Sequence, residues 1–330
     1  MSGGFNVFHS LAEIPQGFGP TAIAIGNFDG MHIGHRQIMR RLVTVSREPK
    51  LVPIKLVPTK LVPMVLTFDP HPARVLAPER APKLLMTMEQ RLRAMREEGI
   101  EAAFLLPFSL EFARQSPEEF ARLVLNGALN ARAVHVGEDF RFGYKQAGTI
   151  ETLRALGSRL DFAVEAVPTV SRRGERISSS AIRRLVEEGR VSRACRMLGG
   201  PFALEGNVVP GHGIGSRQTV PTLNLAPENE VLPARGVYVT RTTDLHSGRK
   251  WHSITNVGYR PTFNGEGLTI ETFLLDPLTG PSPSRLEVRF LTFVRPEIRF
   301  DSPEALKTQI VKDVAVANRL HRRLAKQGVG

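Results

Sequence analysis

Residues 26–35 read GNFDGMHIGH, and the fold of the first half follows from them. Ahead of them Thr21–Ile25, TAIAI, is a short β-branched and apolar run with the character of a buried strand. Behind them residues 37–46 carry a helical pattern. A glycine-interrupted turn between strand and helix is where α/β proteins hold phosphates. Gly26, Gly30 and Gly34 permit a tight turn and a close approach to a ligand. His32 and His35 are three apart, so both imidazoles share one helical face at the first turn. There they meet free backbone N–H groups and the positive end of the helix dipole. That combination suits a phosphate that gains negative charge during a displacement. Zinc is the competing reading, with His71 as a third ligand. No cysteine lies nearby, and zinc would leave the glycines unexplained.

Working outward, strands and helices alternate from residue 21 to about residue 189. Strand patterns cover residues 21–28, 64–68, 102–108, 133–137 and 162–167. Helical patterns cover residues 37–46, 88–98, 117–125 and 180–188. Such alternation predicts a parallel sheet covered on both faces. Ligands then bind beyond the C-terminal strand ends, where the turn after Ile25 lies. Residues 50–63 break the order, with KLVP repeating every five residues at Lys50, Lys55 and Lys60. That period fits neither strand nor helix, and the prolines forbid a regular helix. It predicts an inserted, extended loop that ends before a strand at Met64.

Beyond residue 189 the pattern changes. Val191–Leu198 reads as a short linking helix, and residues 202–294 read as short strands separated by Gly, Pro, Asn and Asp. This predicts a small antiparallel β-barrel. A last helix follows, with Ser302 as its cap and Pro303 at its first position. Leu306, Ile310, Val314, Ala317, Leu320 and Leu324 line the face expected to pack on the barrel.

Three further segments of the first half lie at strand ends or a helix start. Residues 67–72, TFDPHP, would hold Asp69 and His71 in a rigid loop. Residues 136–143, VGEDFRFG, offer Asp139 as a hydrogen-bond acceptor for ribose or adenine. Phe140 and Phe142 there are either core aromatics or stacking faces for a flat ring. Residues 177–183, ISSSAIR, place Ser178, Ser179 and Ser180 at a helix start, as caps or phosphate donors, with Arg183 one turn in. In the second half Gly211, Gly213 and Gly215 form a loop able to wrap phosphates, with Arg217 adding charge, or simply a hairpin connection. In residues 221–224, PTLN, Thr222 and Asn224 alternate with Leu223 and so face one side. A hydroxyl and an amide oxygen are hard donors suited to Mg²⁺ with ATP phosphates. Glu271 sits in an apolar strand candidate, and alternation alone leaves it outward and solvated or inward and basic.

GNFDGMHIGH resembles the H-x-G-H signature of the nucleotidylyltransferases. Together with TFDPHP, VGEDFRFG and ISSSAIR in that order, it resembles the bacterial bifunctional riboflavin kinase/FAD synthetase family. PTLN is similar to that family's PTAN motif, with Leu223 for alanine, and NVGYRPTF at residues 256–263 fits its N-x-G-x-x-P-T-F segment. The resemblance implies a Rossmann-like FMN adenylyltransferase domain over residues 1–186. It implies a riboflavin kinase barrel with a terminal helix over residues 187–330. ATP, riboflavin and FMN would be substrates, FMN and FAD products, and Mg²⁺ the metal at Thr222 and Asn224. His32, His35 and Arg183 would stabilise adenylyl transfer, and Glu271 would be the kinase base. Gly26, Asn27, Phe28, Asp29, Gly30, Asp69, His71, Asp139, Phe140, Phe142, Ser178, Ser179 and Ser180 would line the nucleotide and flavin pocket. Gly211, Gly213, Gly215 and Arg217 would bind phosphates in the kinase half. Arg295 and Glu297 fall where the family contacts flavin.

Composition bounds the alternatives. The 330 residues suffice for two domains, and 42% hydrophobic residues argue against global disorder. The formal charge of +12 attracts anions, nucleotides and nucleic acid alike. No nucleic-acid motif with interleaved aromatics accompanies it, so small-molecule partners and no nucleic acid are expected. A single Cys195 fits a reducing cytoplasm. No apolar run spans a bilayer, and no signal peptide is evident at the N-terminus. A monomer or weak homo-oligomer is expected. An H-x-G-H adenylyltransferase for another phosphorylated small molecule, with the barrel as accessory, is the nearest rival.

Overall fold

The computed structural model describes residues 4–48, 60–172, 174–210, 222–262 and 265–326. The chain divides into two units, Met1–Ser178 and Ser179–Gly330.

The first unit is built on six parallel strands: β1 (Asn6–Phe8), β2 (Thr21–Ile25), β3 (Val62–Asp69), β4 (Ala102–Pro107), β5 (Ala131–Gly137) and β6 (Ala163–Val167). Their order is β1-β4-β3-β2-β5-β6, with every neighbouring pair parallel. The chain runs outward from β2 to β3 and β4, then returns to the other flank of β2 as β5. The strand order therefore reverses between β2 and β5, and the crevice beyond their C-terminal ends is the ligand position of such sheets. All five residues of β2 are buried, as a strand covered on both faces requires. Ala22 and Ala24 face one core, with Ile38, Met39 and Leu42 of α1 (Ile33–Arg47) and Met95 of the helix Met88–Glu97. Ile23 and Ile25 face the other, with Phe120, Val124 and residues of the helix Ile150–Leu160.

Two expectations need correction here. The third KLVP copy is not loop, because Leu61 is fully buried and Val62 and Pro63 begin β3. Val62 donates its N–H to the Pro20 carbonyl, and Pro63 accepts from the Glu101 N–H, so a proline at the strand start loses no ladder bond there. The first two copies lie outside the described residues. The helix Ile150–Leu160 was not expected; its interior Gly157 and Ser158 weaken the pattern.

The second unit opens with two helices, Ser179–Glu187 and Val191–Leu198. Six strands then close into an antiparallel barrel. With β7 (Ser171–Arg172) and β8 (Glu175–Arg176) a small hairpin of the first unit, these are β9 (Phe202–Val209), β10 (Thr222–Pro227), β11 (Gly236–Asp244), β12 (Lys250–Thr262), β13 (Gly265–Leu274) and β14 (Arg285–Arg295). Their order around the barrel is β10-β13-β12-β11-β14-β9. The interior is partly polar: the hydroxyls of Thr242, Ser253, Thr240, Thr255 and Thr272 form a hydrogen-bonded chain with spacings of 2.8–3.0 Å. Outside, Val237, Val239 and Ile254 pack with Ala317 and Leu320 of the terminal helix Pro303–Lys326. That helix buries Asp313, Ala317 and His321, while Leu306 is 39% exposed. The apolar stripe read from the sequence is thus shifted at its start, because a polar residue, Asp313, is buried through its ion pair with Arg295.

Candidate functional site

In the first unit the turn after β2 takes φ values of +50° at Phe28, +83° at Gly30 and +41° at Met31. This strained run is tied at two points. The Asn27 carbonyl accepts from Arg91 Nη1 at 3.0 Å and from Thr67 Oγ1 at 3.3 Å. The buried Asp29 carboxylate accepts from the N–H of Leu85 at 2.9 Å and of Met86 at 3.2 Å. Phe28 and Met31 turn inward into the core beneath α1. Asp29 and Phe28 therefore hold the turn's shape.

His32 is the N-cap of α1, and its Nδ1 accepts from the His35 N–H at 3.3 Å. Gly34 leaves room for this: a Cβ there would stand 3.2 Å from the His32 ring. With Nδ1 accepting, the proton of neutral His32 lies on Nε2, which is left as a donor. The two rings stack with centroids 3.6 Å apart. Burial lowers the His32 pKa to about 4. Burial, then the charge of His32, lowers that of His35. Both imidazoles are thus neutral hydrogen-bonding groups near pH 7. His35 Nδ1 and Asn27 Oδ1 are buried atoms without a hydrogen-bond partner among the described residues, as expected where a ligand completes the set. Arg36 and Arg40 anchor α1 to Glu98 at 2.5 and 2.9 Å. Burial raises the Glu98 pKa, but the two guanidiniums outweigh it and the net shift is downward.

The other predicted residues of this unit are placed as follows. Asp69 is exposed at the end of β3, and His71 caps the short helix Pro72–Leu76 through Nδ1, 3.2 Å from the Ala73 N–H. Asp139 is exposed and pairs with Arg176 at 2.7 Å. Phe142 is a core residue against Phe120, and half-buried Phe140 stacks on it at 5.5 Å. Phe140 alone of the two presents ring surface outward. Ser178 ends the first unit, while Ser179, Ser180 and Arg183 lie in the opening helix of the second.

In the second unit the barrel register sets a row across five strands. Asn224 of β10 stands opposite Glu271 of β13, and Glu271 stands opposite Asn256 of β12. Asn256 in turn faces Val237 of β11, which faces Arg295 of β14. Directly opposed residues share a face. Thr222 lies on this face too, opposite Phe273. Ile270, Thr272 and Leu274 are buried, whereas Phe273 and Leu275 pack in the outer cluster with the terminal helix. Glu271 is thus half-buried on the outer face, neither inside the barrel nor fully in solvent. Arg295 grips Asp313 with Nε and Nη2 at 2.8–3.2 Å and donates Nη1 to the Pro296 carbonyl at 3.0 Å. Most of its guanidinium is thereby spent on the terminal helix. Gly211, Gly213, Gly215 and Arg217 lie outside the described residues.

Residues 15–181 match the FAD synthetase family, and residues 198–321 match the riboflavin kinase family. A bifunctional riboflavin kinase/FMN adenylyltransferase of Haemophilus influenzae is 32% identical, covering 94% of this chain and 96% of its own length. That of Pseudomonas fluorescens is 35% identical over 90% of this chain and 91% of its own. The chain belongs to the bifunctional riboflavin kinase/FMN adenylyltransferase family. It is an enzyme that phosphorylates riboflavin to FMN and adenylylates FMN to FAD, with ATP as donor in both steps. A solved structure described as a macrolide-efflux protein from Streptococcus pneumoniae is also similar, with a TM-score of 0.80 and 29% identity over 94% of this chain and 98% of that one. Among the described residues no helix is long and apolar enough to cross a membrane.

Within this family's architecture, the features that sequence reasoning missed are the supports. Arg91 and Asp313 sit in ordinary amphipathic helices and Glu98 at the C-cap of one, and their partners are distant in sequence. Capping-box Thr87 and Gln90, which fix the start of the helix bearing Arg91, were the one local signal available.

Proposed function

We propose that residues 1–186 carry FMN adenylylation and residues 187–330 carry riboflavin phosphorylation. In the first reaction a phosphate oxygen of FMN attacks the α-phosphorus of ATP, and pyrophosphate leaves. His32 and His35 donate hydrogen bonds to the α-phosphate as charge builds, and Arg183 supplies a planar positive fork to the polyphosphate. Gly26, Asn27 and Gly30 present backbone to phosphates, held in place through Phe28 and Asp29. Asp69, His71, Asp139, Phe140, Ser178, Ser179 and Ser180 belong to the surrounding pocket, and Phe142 backs Phe140 from the core. The stacked, neutral histidine pair at the strand-order reversal is the observation that carries this assignment.

In the second reaction the riboflavin 5′-hydroxyl attacks the γ-phosphorus of ATP and ADP leaves. Glu271 accepts the hydroxyl proton. Thr222 and Asn224 are hard oxygen donors on one face, one of them opposite Glu271, so they fit a magnesium site. They would hold Mg²⁺, which neutralises charge on the ATP phosphates. Gly211, Gly213, Gly215 and Arg217 serve the phosphates, and Arg295 supports the flavin end from its pair with Asp313. Partners are small molecules, with no nucleic acid, and the protein acts in the cytoplasm as a monomer or weak homo-oligomer. Incubation with riboflavin, ATP and Mg²⁺, followed by chromatographic separation, tests the reading. FMN should appear first and FAD after it, and FAD without an FMN intermediate would contradict it.

A further inference from the structure

Arg91 is almost wholly withdrawn from water, 3% exposed, in the helix Met88–Glu97. An arginine is seldom buried so far unless polar partners hold it there. Its Nη1 donates to the Asn27 carbonyl at 3.0 Å, and Thr67 Oγ1, near the end of β3, donates to the same oxygen at 3.3 Å. Two donors from two separate elements thus converge on one carbonyl, two residues beyond the end of β2.

The peptide they grip leads into the strained turn. It is trans, so the Phe28 N–H of the same planar unit points opposite to the Asn27 carbonyl, away from both donors. Among the described residues that N–H donates to no backbone carbonyl. Phe28 itself has a φ of +50°, which a phenylalanine holds only where its surroundings impose it. On its far side the Asp29 carboxylate accepts from the N–H groups of Leu85 and Met86. Residues 85–91 therefore brace Phe28 from both sides, and the Thr87–Gln90 capping box within them fixes where the helix bearing Arg91 begins. A guanidinium on the carbonyl also polarises the amide, which makes its N–H a stronger donor.

We propose that Arg91 and Thr67 are positioning residues for adenylylation, which fix and polarise the Asn27–Phe28 peptide for the phosphates of ATP. The inference rests on the reading of this turn as a phosphate site given above.

The test is steady-state FAD formation from supplied FMN by Arg91→Met, Arg91→Lys, Thr67→Val and His32→Ala, with a melting curve for each. Folded Arg91→Met should lose about 10²-fold in kcat with the KM for FMN unchanged, the scale of one preorganised donor felt in the transition state. Arg91→Lys keeps a charged donor and should recover about tenfold of that loss. An arginine that served the fold alone would lower the melting temperature and leave the kcat of folded protein unchanged. Thr67→Val keeps the side chain's shape and removes only the hydroxyl, so it is the second probe should Arg91→Met unfold. It should lower the same kcat several-fold, again without moving the KM for FMN. A normal kcat in folded Arg91→Met, or in Thr67→Val, overturns the inference. Full FAD formation by His32→Ala would instead overturn the phosphate reading of the turn beneath it.

Discussion

His32 and His35 stack at 3.6 Å with 18° between their planes, at the first turn of α1 and beside the crevice where the sheet order reverses. Two imidazolium ions could not share that spacing in a buried place without a large penalty. The pair is therefore a neutral donor set, fixed by the His32 cap and by the anchoring of α1 to Glu98.

Replacing either histidine by alanine should remove one donor to the transition state. FAD formation from FMN should fall about 10²–10³-fold, the scale for one such donor. FMN formation from riboflavin should stay within a few-fold of wild type, as product ratios by chromatography will report.

The same pair makes stability depend on pH. The folded His32 pKa is about 4, below the ordinary 6.5, so between these values the unfolded chain binds more protons. Stability is then full above about pH 6.5 and declines as pH falls toward 4, by about 3 kcal/mol at most from this group. Thermal melts at pH 7 and pH 5 should show a smaller acid loss for His32→Asn than for wild type. Equal losses would remove the burial argument.

Asp313 joins the terminal helix to the barrel through Arg295, with both side chains largely buried. Asp313→Ala leaves a guanidinium without its partner and should cost about 3–5 kcal/mol. Trp251, the single tryptophan, is buried in β12 and reports unfolding of this unit by fluorescence. Its urea midpoint should fall, while FAD formation from supplied FMN persists before that transition.

The repeat offers a deletion test. Removing residues 50–59 should leave both activities within a few-fold, as expected for a surface insertion. Extending the deletion through Leu61 and Pro63 should unfold the first unit, because these residues begin a buried strand. Folded protein after the longer deletion would contradict that register.

Legibility in the sequence followed the range of the forces involved. The alternation of buried strands with amphipathic helices marked β2 to β6 within a few residues, because period and punctuation are local. The helical pattern begins four residues after the start of α1, since Gly34 and the histidines carry little helical propensity and the cap supplies the start. β1 was missed: three residues pairing parallel with β4 leave almost no pattern. The H-x-G-H turn and PTLN were visible as strings, but the orientation of Glu271 was not. Alternation fixes which residues share a face, and only the packing of Phe273 and Leu275 against the terminal helix tells which face is outer. Phe140 and Phe142 divide similarly, one outward and one core, through contacts with Phe120 that no local rule supplies.

If two separate sites divide the work, two proteins each disabled at one site should complement each other when mixed. Glu271→Gln should lose FMN formation by about 10²–10⁴, the usual share of general-base catalysis, and keep adenylylation of supplied FMN. His32→Ala should do the reverse. Given riboflavin, ATP and Mg²⁺, neither variant alone should yield FAD at more than a trace, and an equimolar mixture should restore it through released FMN. A mixture of the two folded variants that accumulates FMN without FAD, or forms neither product, would contradict the division.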